Sequence, residues 1–232
     1  MSKTIVTCNQ LKKSYGDEKE SRVVALSGLD LTVQAEELLM LVGPSGCGKT
    51  TLLSIMSGIL TQDSGDCILF GHDLNKMKDD QKSALRKNKV GFVFQAFNLI
   101  PMLSALENTT IPLILNGFDP QEANSIAAKL LTRVGLGSRL DALPSHLSGG
   151  EKQRVAICRG CIHKPGLIVC DEPTSNLDHQ TGIQVLKLLK ELAISEKSAL
   201  VIVTHDPRIF DFADRLLHMD DGRIVREETN GT

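Results

Sequence analysis

Leu38-Leu39-Met40-Leu41-Val42-Gly43-Pro44-Ser45-Gly46-Cys47-Gly48-Lys49-Thr50 decides how the rest of the chain is read. Its first five residues are apolar without interruption, the pattern of a strand buried on both faces. The next eight fit G-x-x-x-x-G-K-[ST], in which glycines let backbone N–H groups turn inward around phosphates. Beyond the loop Leu52, Leu53, Ile55 and Met56 recur at helical spacing. Strand, loop and helix is the order a phosphate-binding loop requires. The helix N-terminus adds about half a positive charge. Lys49 is suited to reach β- and γ-phosphates, and the Thr50 hydroxyl to bind Mg²⁺. The candidate phosphate-binding residues are therefore Gly43, Pro44, Ser45, Gly46, Cys47, Gly48, Lys49, Thr50 and Thr51.

Leu147-Ser148-Gly149-Gly150-Glu151 is a second glycine-rich turn. Ser148 is a good N-cap and Glu151 falls three residues later, which makes a capping box. The pattern predicts a helix through Arg154, Val155, Ile157 and Cys158, stopped by Lys164-Pro165. Its N-terminus is a second anion site. One ATP in one small domain has no easy use for both. An economical arrangement is a head-to-tail pair in which Ser148, Gly149, Gly150 and Glu151 of each copy close on the nucleotide of the other.

Three further strand ends carry chemistry. Leu167-Ile168-Val169-Cys170 leads into Asp171-Glu172. Asp171 is suited to hold Mg²⁺. An extended backbone would turn Glu172 to the opposite face, where it can act as general base toward water. Ala199-Leu200-Val201-Ile202-Val203 leads into Thr204-His205-Asp206, placing His205 to bond a γ-phosphate and hold the water. A lone histidine there is more often structural. Val93-Phe94-Gln95 ends in a neutral amide able to touch both Mg²⁺ and water.

Taken in order, Gly43 to Thr50, Gln95, Leu147 to Glu151, Cys170-Asp171-Glu172, Ser175-Asn176-Leu177-Asp178 and His205 resemble the motif set of an ABC ATPase. In family terms these are the Walker A motif, Q-loop, signature, Walker B, D-loop and H-loop. Tyr15 matches the aromatic residue that stacks on adenine, and the resemblance puts Asp178 of the D-loop among the nucleotide-binding residues. The resemblance runs from about Ile5 to Val225. It implies a P-loop NTPase fold of RecA-like type: a mostly parallel sheet core, an antiparallel β subdomain and an α-helical insertion. It also implies ATP and Mg²⁺ as ligands, a second copy as partner, and transmembrane permease subunits, with a periplasmic adaptor reached through them. Gly91 to Pro101, Leu103 to Asn108, Ile111-Pro112-Leu113 and Pro144-Ser145-His146 narrow the likeness to the MacB/LolD group of macrolide exporters and lipoprotein-release ATPases. Cys158, Gly160 and Cys161 stand where the family usually has alanines, and Cys170 stands where a small or apolar residue is usual. No catalytic group is lost by these departures. The implied activity is ATP hydrolysis powering separate membrane subunits; the alternative is an ATPase driving a mechanical or regulatory membrane complex.

Composition fits one domain over residues 1–232, with a nucleotide-binding core of about 1–95 and 151–232 and a helical subdomain of 96–150. Of the 232 residues 41% are hydrophobic, enough for a single core. The formal net charge is −2, from 26 basic and 28 acidic side chains, and aromatics are 3%. A nucleic-acid binder is typically more basic and richer in stacking platforms, so no nucleic-acid partner is expected. No apolar run approaches the ~20 residues that span a bilayer, and Met1-Ser2-Lys3-Thr4-Ile5-Val6 is too short for a signal-peptide core. Cys8, Cys47, Cys67, Cys158, Cys161 and Cys170 read as reduced thiols, Cys47 because a disulfide there would obstruct the loop. The expected location is cytoplasmic, on the inner face of the membrane through the permease.

Periodicity predicts buried parallel strands at 38–42, 90–95, 167–170 and 199–203, and a small antiparallel sheet using Leu29, Leu31, Val33, Ile68 and Phe70. Asp119-Pro120 starts a helix that Gly135 ends. Asp178 caps a helix with Ile183, Leu186, Leu189 and Leu192 inside. Asp221-Gly222 turns a hairpin. Lys76 to Lys89 reads as a solvated basic face.

Overall fold

The computed structural model describes residues 3–16 and 22–230. Met1 and Ser2 of the opening segment lie outside the described residues. In chain order the elements are β1 (Thr4–Tyr15), β2 (Val23–Gln34), β3 (Leu38–Val42), α1 (Lys49–Met56), β4 (Ser64–Leu69), β5 (His72–Asp73), α2 (Asp79–Lys89) and β6 (Val90–Val93). There follow α3 (Ala105–Leu115), α4 (Pro120–Arg133), α5 (Gly149–Cys161), β7 (Leu167–Asp171), α6 (His179–Ser195), β8 (Ala199–Val203), β9 (Arg215–Asp220) and β10 (Arg223–Thr229). They form two compact units, Met1–Arg86 with Ala199–Thr232, and Lys87–Ser198.

The first unit holds two sheets. In one, β3 is flanked by β8 and β9 and runs parallel to both, with Met40 opposite Ile202 on one side and Leu216 on the other. Every residue of β3 and β8 is buried, as an uninterrupted apolar run predicts for a parallel strand covered on both faces. The β9–β10 hairpin turns at Asp221 (φ 40) and Gly222 (φ 73), the two positive φ values of a type I′ turn. The other sheet is antiparallel, ordered β2-β1-β4-β5. It includes the expected Leu29, Leu31, Val33 and Ile68, while Phe70 falls just past β4 at φ 51. Cys8 pairs with Cys67 across β1 and β4, their Sγ atoms 3.8 Å apart. All six cysteines are free and buried. The basic segment ends in α2, which buries nothing.

In the second unit β6 and β7 run parallel, Phe92 opposite Val169. Gly160 packs so closely on β6 that a Cβ there would lie 3.0 Å from the Phe92 carbonyl oxygen. The helical stretch forms around Ala105, Leu131, Leu136, Leu147, Val155 and Cys158. Reciprocal Ser–Glu boxes cap α3 (Ser104, Glu107) and α5 (Ser148, Glu151), whereas at α4 the Asp119 carboxylate accepts from the amides of both Gln121 and Glu122. Fully buried Asn108 stitches the loop before α3: its Oδ1 accepts from the Ile100 amide, and its Nδ2 donates to the carbonyls of Ile100, Leu103 and Ser104. Helix α5 ends at Cys161, short of the expected stop, and Lys164 takes φ 54. The residue before a proline is pushed out of right-handed helical geometry. Burial pushes the Cys161 thiol up to about 12. No helix among the described residues is long and apolar enough to cross a membrane.

Candidate functional site

The loop between β3 and α1 is built from close backbone approaches. A Cβ on Gly43 would stand 2.1 Å from the Met219 carbonyl oxygen, and one on Gly48 2.2 Å from that of Ala25. Only glycine fits at either position. Gly48 (φ 100) is the N-cap of α1 and makes no side-chain cap bond, so the first-turn amides are left for an outside acceptor. The Lys49 ammonium is folded into the loop. It donates to the Gly43 and Pro44 carbonyls at 2.8 and 2.7 Å and lies 3.6 Å from Cys47 Sγ. These three contacts match the three protons of an ammonium. Pro44, Ser45 and Gly46 form the exposed crown.

A cavity of about 230 Å³ adjoins this loop, lined by Tyr15, Val23, Ala25, Gly46, Gly48, Lys49, Thr50 and Thr51. Tyr15 is 44% exposed, with its hydroxyl 3.4 Å from Thr51 Oγ1 and its ring 5.8 Å from Lys13 Nζ. An apolar wall from Val23 and Ala25, a half-exposed aromatic ring, hydroxyls and a lysine suit a ligand with a flat apolar part and an anionic part. Sequence reasoning found Tyr15 but missed Val23 and Ala25, because the exposure of Val23 and Val24 at the start of β2 shows only in the structure. In the same unit His205 follows β8 and is exposed, beside fully buried Thr204. Thr204 Oγ1 accepts the Asp206 amide, and the Asp206 carboxylate holds Arg208 at 2.7 Å and caps the turn Pro207–Phe212.

The second unit brings together the signature turn, the D-loop and the segment after β6. Ser148 Oγ accepts from the Glu151 amide, and Glu151 Oε2 accepts from the Ser148 amide at 2.8 Å. Glu151 Oε1 takes Arg139 Nε at 3.1 Å. The Ser148 amide, foremost, and Arg139 hold the Glu151 carboxyl below its usual range. Ser148 itself is exposed, and the box uses its oxygen as an acceptor, leaving its proton to donate. A Cβ on Gly150 would meet Thr181 Cγ2 at 2.8 Å, and one on Gly149 would touch Leu177 at 3.6 Å. The signature turn therefore packs on the start of α6, where Asp178 accepts the Thr181 amide at 3.0 Å. The Thr181 side chain, foremost, and the Thr181 amide lower the Asp178 pKa. Asn176 Nδ2 donates to the Gln95 carbonyl at 2.9 Å.

Asp171 ends β7, as expected. Glu172 does not continue the strand. Its φ is 50, so the alternation expected to send it to the far face does not apply. Its direction comes from a turn in which the Ser175 amide and hydroxyl both bond the Glu172 carbonyl, at 3.3 and 3.0 Å. Left-handed backbone on a non-glycine residue costs about 1–2 kcal/mol and is concentrated at functional sites.

A family profile described as ABC transporter matches residues 26–175. The chain belongs to the ABC transporter family. It is 44% identical over 223 residues to the lipoprotein-releasing system ATP-binding protein LolD of Pseudomonas syringae pv. tomato, covering 96% of this chain and 98% of that one. It is 43% identical over 226 residues to the ABC transporter ATP-binding protein YbbA of Escherichia coli K12, covering 97% and 99%. The ATP-binding cassette MJ0796, solved as a dimer in a post-hydrolysis state bound to ADP and Pi, superposes with a TM-score of 0.90 at 35% identity, covering 98% of this chain and all of that one. The expected P-loop fold is thus present, and the chain is an ABC ATPase that binds and hydrolyses ATP.

Proposed function

We propose that this ATPase works as a head-to-tail pair that drives separate permease subunits, in a system that releases or extrudes lipid-anchored cargo. The observation that carries the reading is a pair of helix starts suited to an anion: the uncapped start of α1 in one unit, and the Ser148 turn of α5, with its exposed hydroxyl, in the other. The names of the LolD relatives and the dimeric state of MJ0796 support it.

In this reading Tyr15 stacks on adenine. Gly43 to Thr51 wrap the phosphates, and Lys49 exchanges the Gly43 and Pro44 carbonyls for phosphate oxygens. Ser148, Gly149, Gly150 and the Glu151-held cap cover the γ-phosphate bound by the partner, with Asp178 at the shared seam. Glu172 takes a proton from the attacking water, and His205 bonds the γ-phosphate and orients that water. Among the described residues no group of three or more His, Cys, Asp or Glu is placed to hold a metal. In this reading a hydroxyl, one carboxylate and one amide (Thr50, Asp171, Gln95) are the Mg²⁺ ligands the protein would supply, a donor set suited to an ion that keeps waters and phosphate oxygens as its other ligands. Bound there, Mg²⁺ would offset the charge developing on the phosphates. Residues 96–150, hung from Gln95, would form the face that meets the permease, which would place this ATPase at the inner face of the membrane.

The test is Glu172→Gln. It should nearly abolish turnover while ATP-bound dimers accumulate in analytical ultracentrifugation, and wild-type turnover per protomer should fall on dilution. Concentration-independent turnover from a monomer would sink the proposal.

A further inference from the structure

The backbone that follows Gln95 is held in an unusual way. Phe97 (φ 61) and Asn98 (φ 47) are the only adjacent non-glycine residues with positive φ among the described residues. Their two carbonyls are gripped by a single side chain. Arg159 Nη2 donates to the Phe97 oxygen at 2.8 Å and Nη1 to the Asn98 oxygen at 2.6 Å. Successive carbonyls of an extended chain point to opposite sides, so one guanidinium fork can take both only where the chain turns helically. The fork and the left-handed pair therefore specify each other. Charge-assisted bonds of this kind are about twice as strong as neutral ones, which is what such a strained pair needs to persist.

Arg159 lies on α5, the helix whose first turn is Ser148-Gly149-Gly150. From Ser148 to Arg159 is about 16 Å along a stiff rod at 1.5 Å per residue. The same stretch is anchored at its other end, where Asn176 from the loop after Glu172 holds the Gln95 carbonyl. We infer that Arg159 is a positioning residue for Gln95: it ties the turn behind that amide to the signature helix, so a phosphate captured at Ser148 is registered at Gln95. This rests on the roles proposed above for Gln95 and Ser148. Arg159 acts through the Phe97–Asn98 backbone, whose carbonyls are its hydrogen-bond partners.

The experiment measures Mg-ATP turnover of the purified full chain. Arg159→Met keeps the apolar stem and removes every donor. It should lower kcat at least tenfold, with KM for ATP within twofold of wild type, as Gln95→Ala should. Arg159→Lys, a single ammonium without the fork, should fall between. Asn98→Gly adopts the left-handed conformation without the steric cost. Added to Arg159→Met it should recover turnover at least threefold, while changing the wild type less than twofold. Thermal denaturation establishes that each variant is folded, and should Arg159→Met not fold, the same comparison is made in Arg159→Lys. Wild-type turnover by Arg159→Met alongside an impaired Gln95→Ala overturns the inference and leaves the reading of Gln95 standing. So does a loss that Asn98→Gly fails to recover. Normal turnover by Gln95→Ala removes the reading of Gln95, and the inference with it.

Discussion

Replacing Glu172 by alanine and by glycine separates the cost of its backbone from the value of its carboxylate. Both variants lose the side chain and whatever it bonds, so their difference reports backbone conformation alone. At an ordinary helical or strand position glycine is the less stable of the two by about 0.5–1 kcal/mol, because it loses more conformational freedom on folding. At φ 50 the alanine Cβ carries a left-handed penalty of about 1–2 kcal/mol that glycine escapes. The balance favours Glu172→Gly by about 0.5–1 kcal/mol. For a chain of 232 residues that corresponds to a melting temperature about 1–4 °C higher. Differential scanning calorimetry at neutral pH, without nucleotide, reads the difference directly, and urea denaturation gives it as a midpoint shift at constant slope. Neither variant should hydrolyse ATP. If the alanine variant melts at or above the glycine variant, Glu172 is not held in a left-handed conformation, and the claim that strain is stored there fails.

The loop glycines should differ sharply from one another. Gly48→Ala drives a Cβ to 2.2 Å from the Ala25 carbonyl oxygen and should cost about 2–4 kcal/mol by chemical denaturation, whereas Gly46→Ala meets nothing within 4 Å and should cost only the ~1–2 kcal/mol of its φ. The signature cap carries a pH signature. Because folding lowers the Glu151 pKa below 4.5, its contribution is present in full above that value and is lost as pH falls through the folded pKa. Glu151→Gln, which keeps the capping-box shape without the charge, should therefore cost about 0.3–1 kcal/mol at pH 7 and progressively less below pH 4.5 in urea titrations. A cost that is unchanged at low pH would show that the charge is not what stabilises the turn.

Most of the fold could be read because local and global signals agree. The run 38–42 is buried on both faces, and Ser148 with Glu151 forms the box their spacing predicts. Asp221-Gly222 turns the hairpin that a pair tolerant of positive φ should turn. The first strand was less legible. Its pairing shifts register between Cys8 and Leu11, and Gln10 sits at φ 48, so the apolar residues Ile5, Val6, Cys8 and Leu11 lose the period of two by which a half-buried strand is recognised. On α6 Leu186, Leu189 and Leu192 are buried as periodicity chose, but the first turn buries Gly182 in place of Ile183, which is half-buried, because a glycine can bury its face without contributing to an apolar pattern.

The candidate site was legible in its parts and illegible in its joints, for one physical reason. Motif residues announce themselves by type and spacing, but the backbone that aims them departs from any local rule. β6 and β7 are ordinary buried strands up to Val93 and Asp171. Within a few residues of each end the chain enters left-handed geometry without glycine, at Phe97–Asn98 and at Glu172. Propensity alone would place glycine at such positions. Larger residues persist there only where surrounding bonds over-determine them, and both sites show such bonds: the Arg159 fork on one, the Ser175 amide and hydroxyl on the other. Conflicts between local preference and adopted structure are expected where function has set the geometry. Here they flank Gln95 and coincide with Glu172, the amide proposed for Mg²⁺ and the carboxylate proposed for the attacking water. Arg159 was invisible in the sequence because an arginine in a helix reads as a solvated charge. Its meaning appears only when the carbonyls it holds are known to belong to a turn that would otherwise relax.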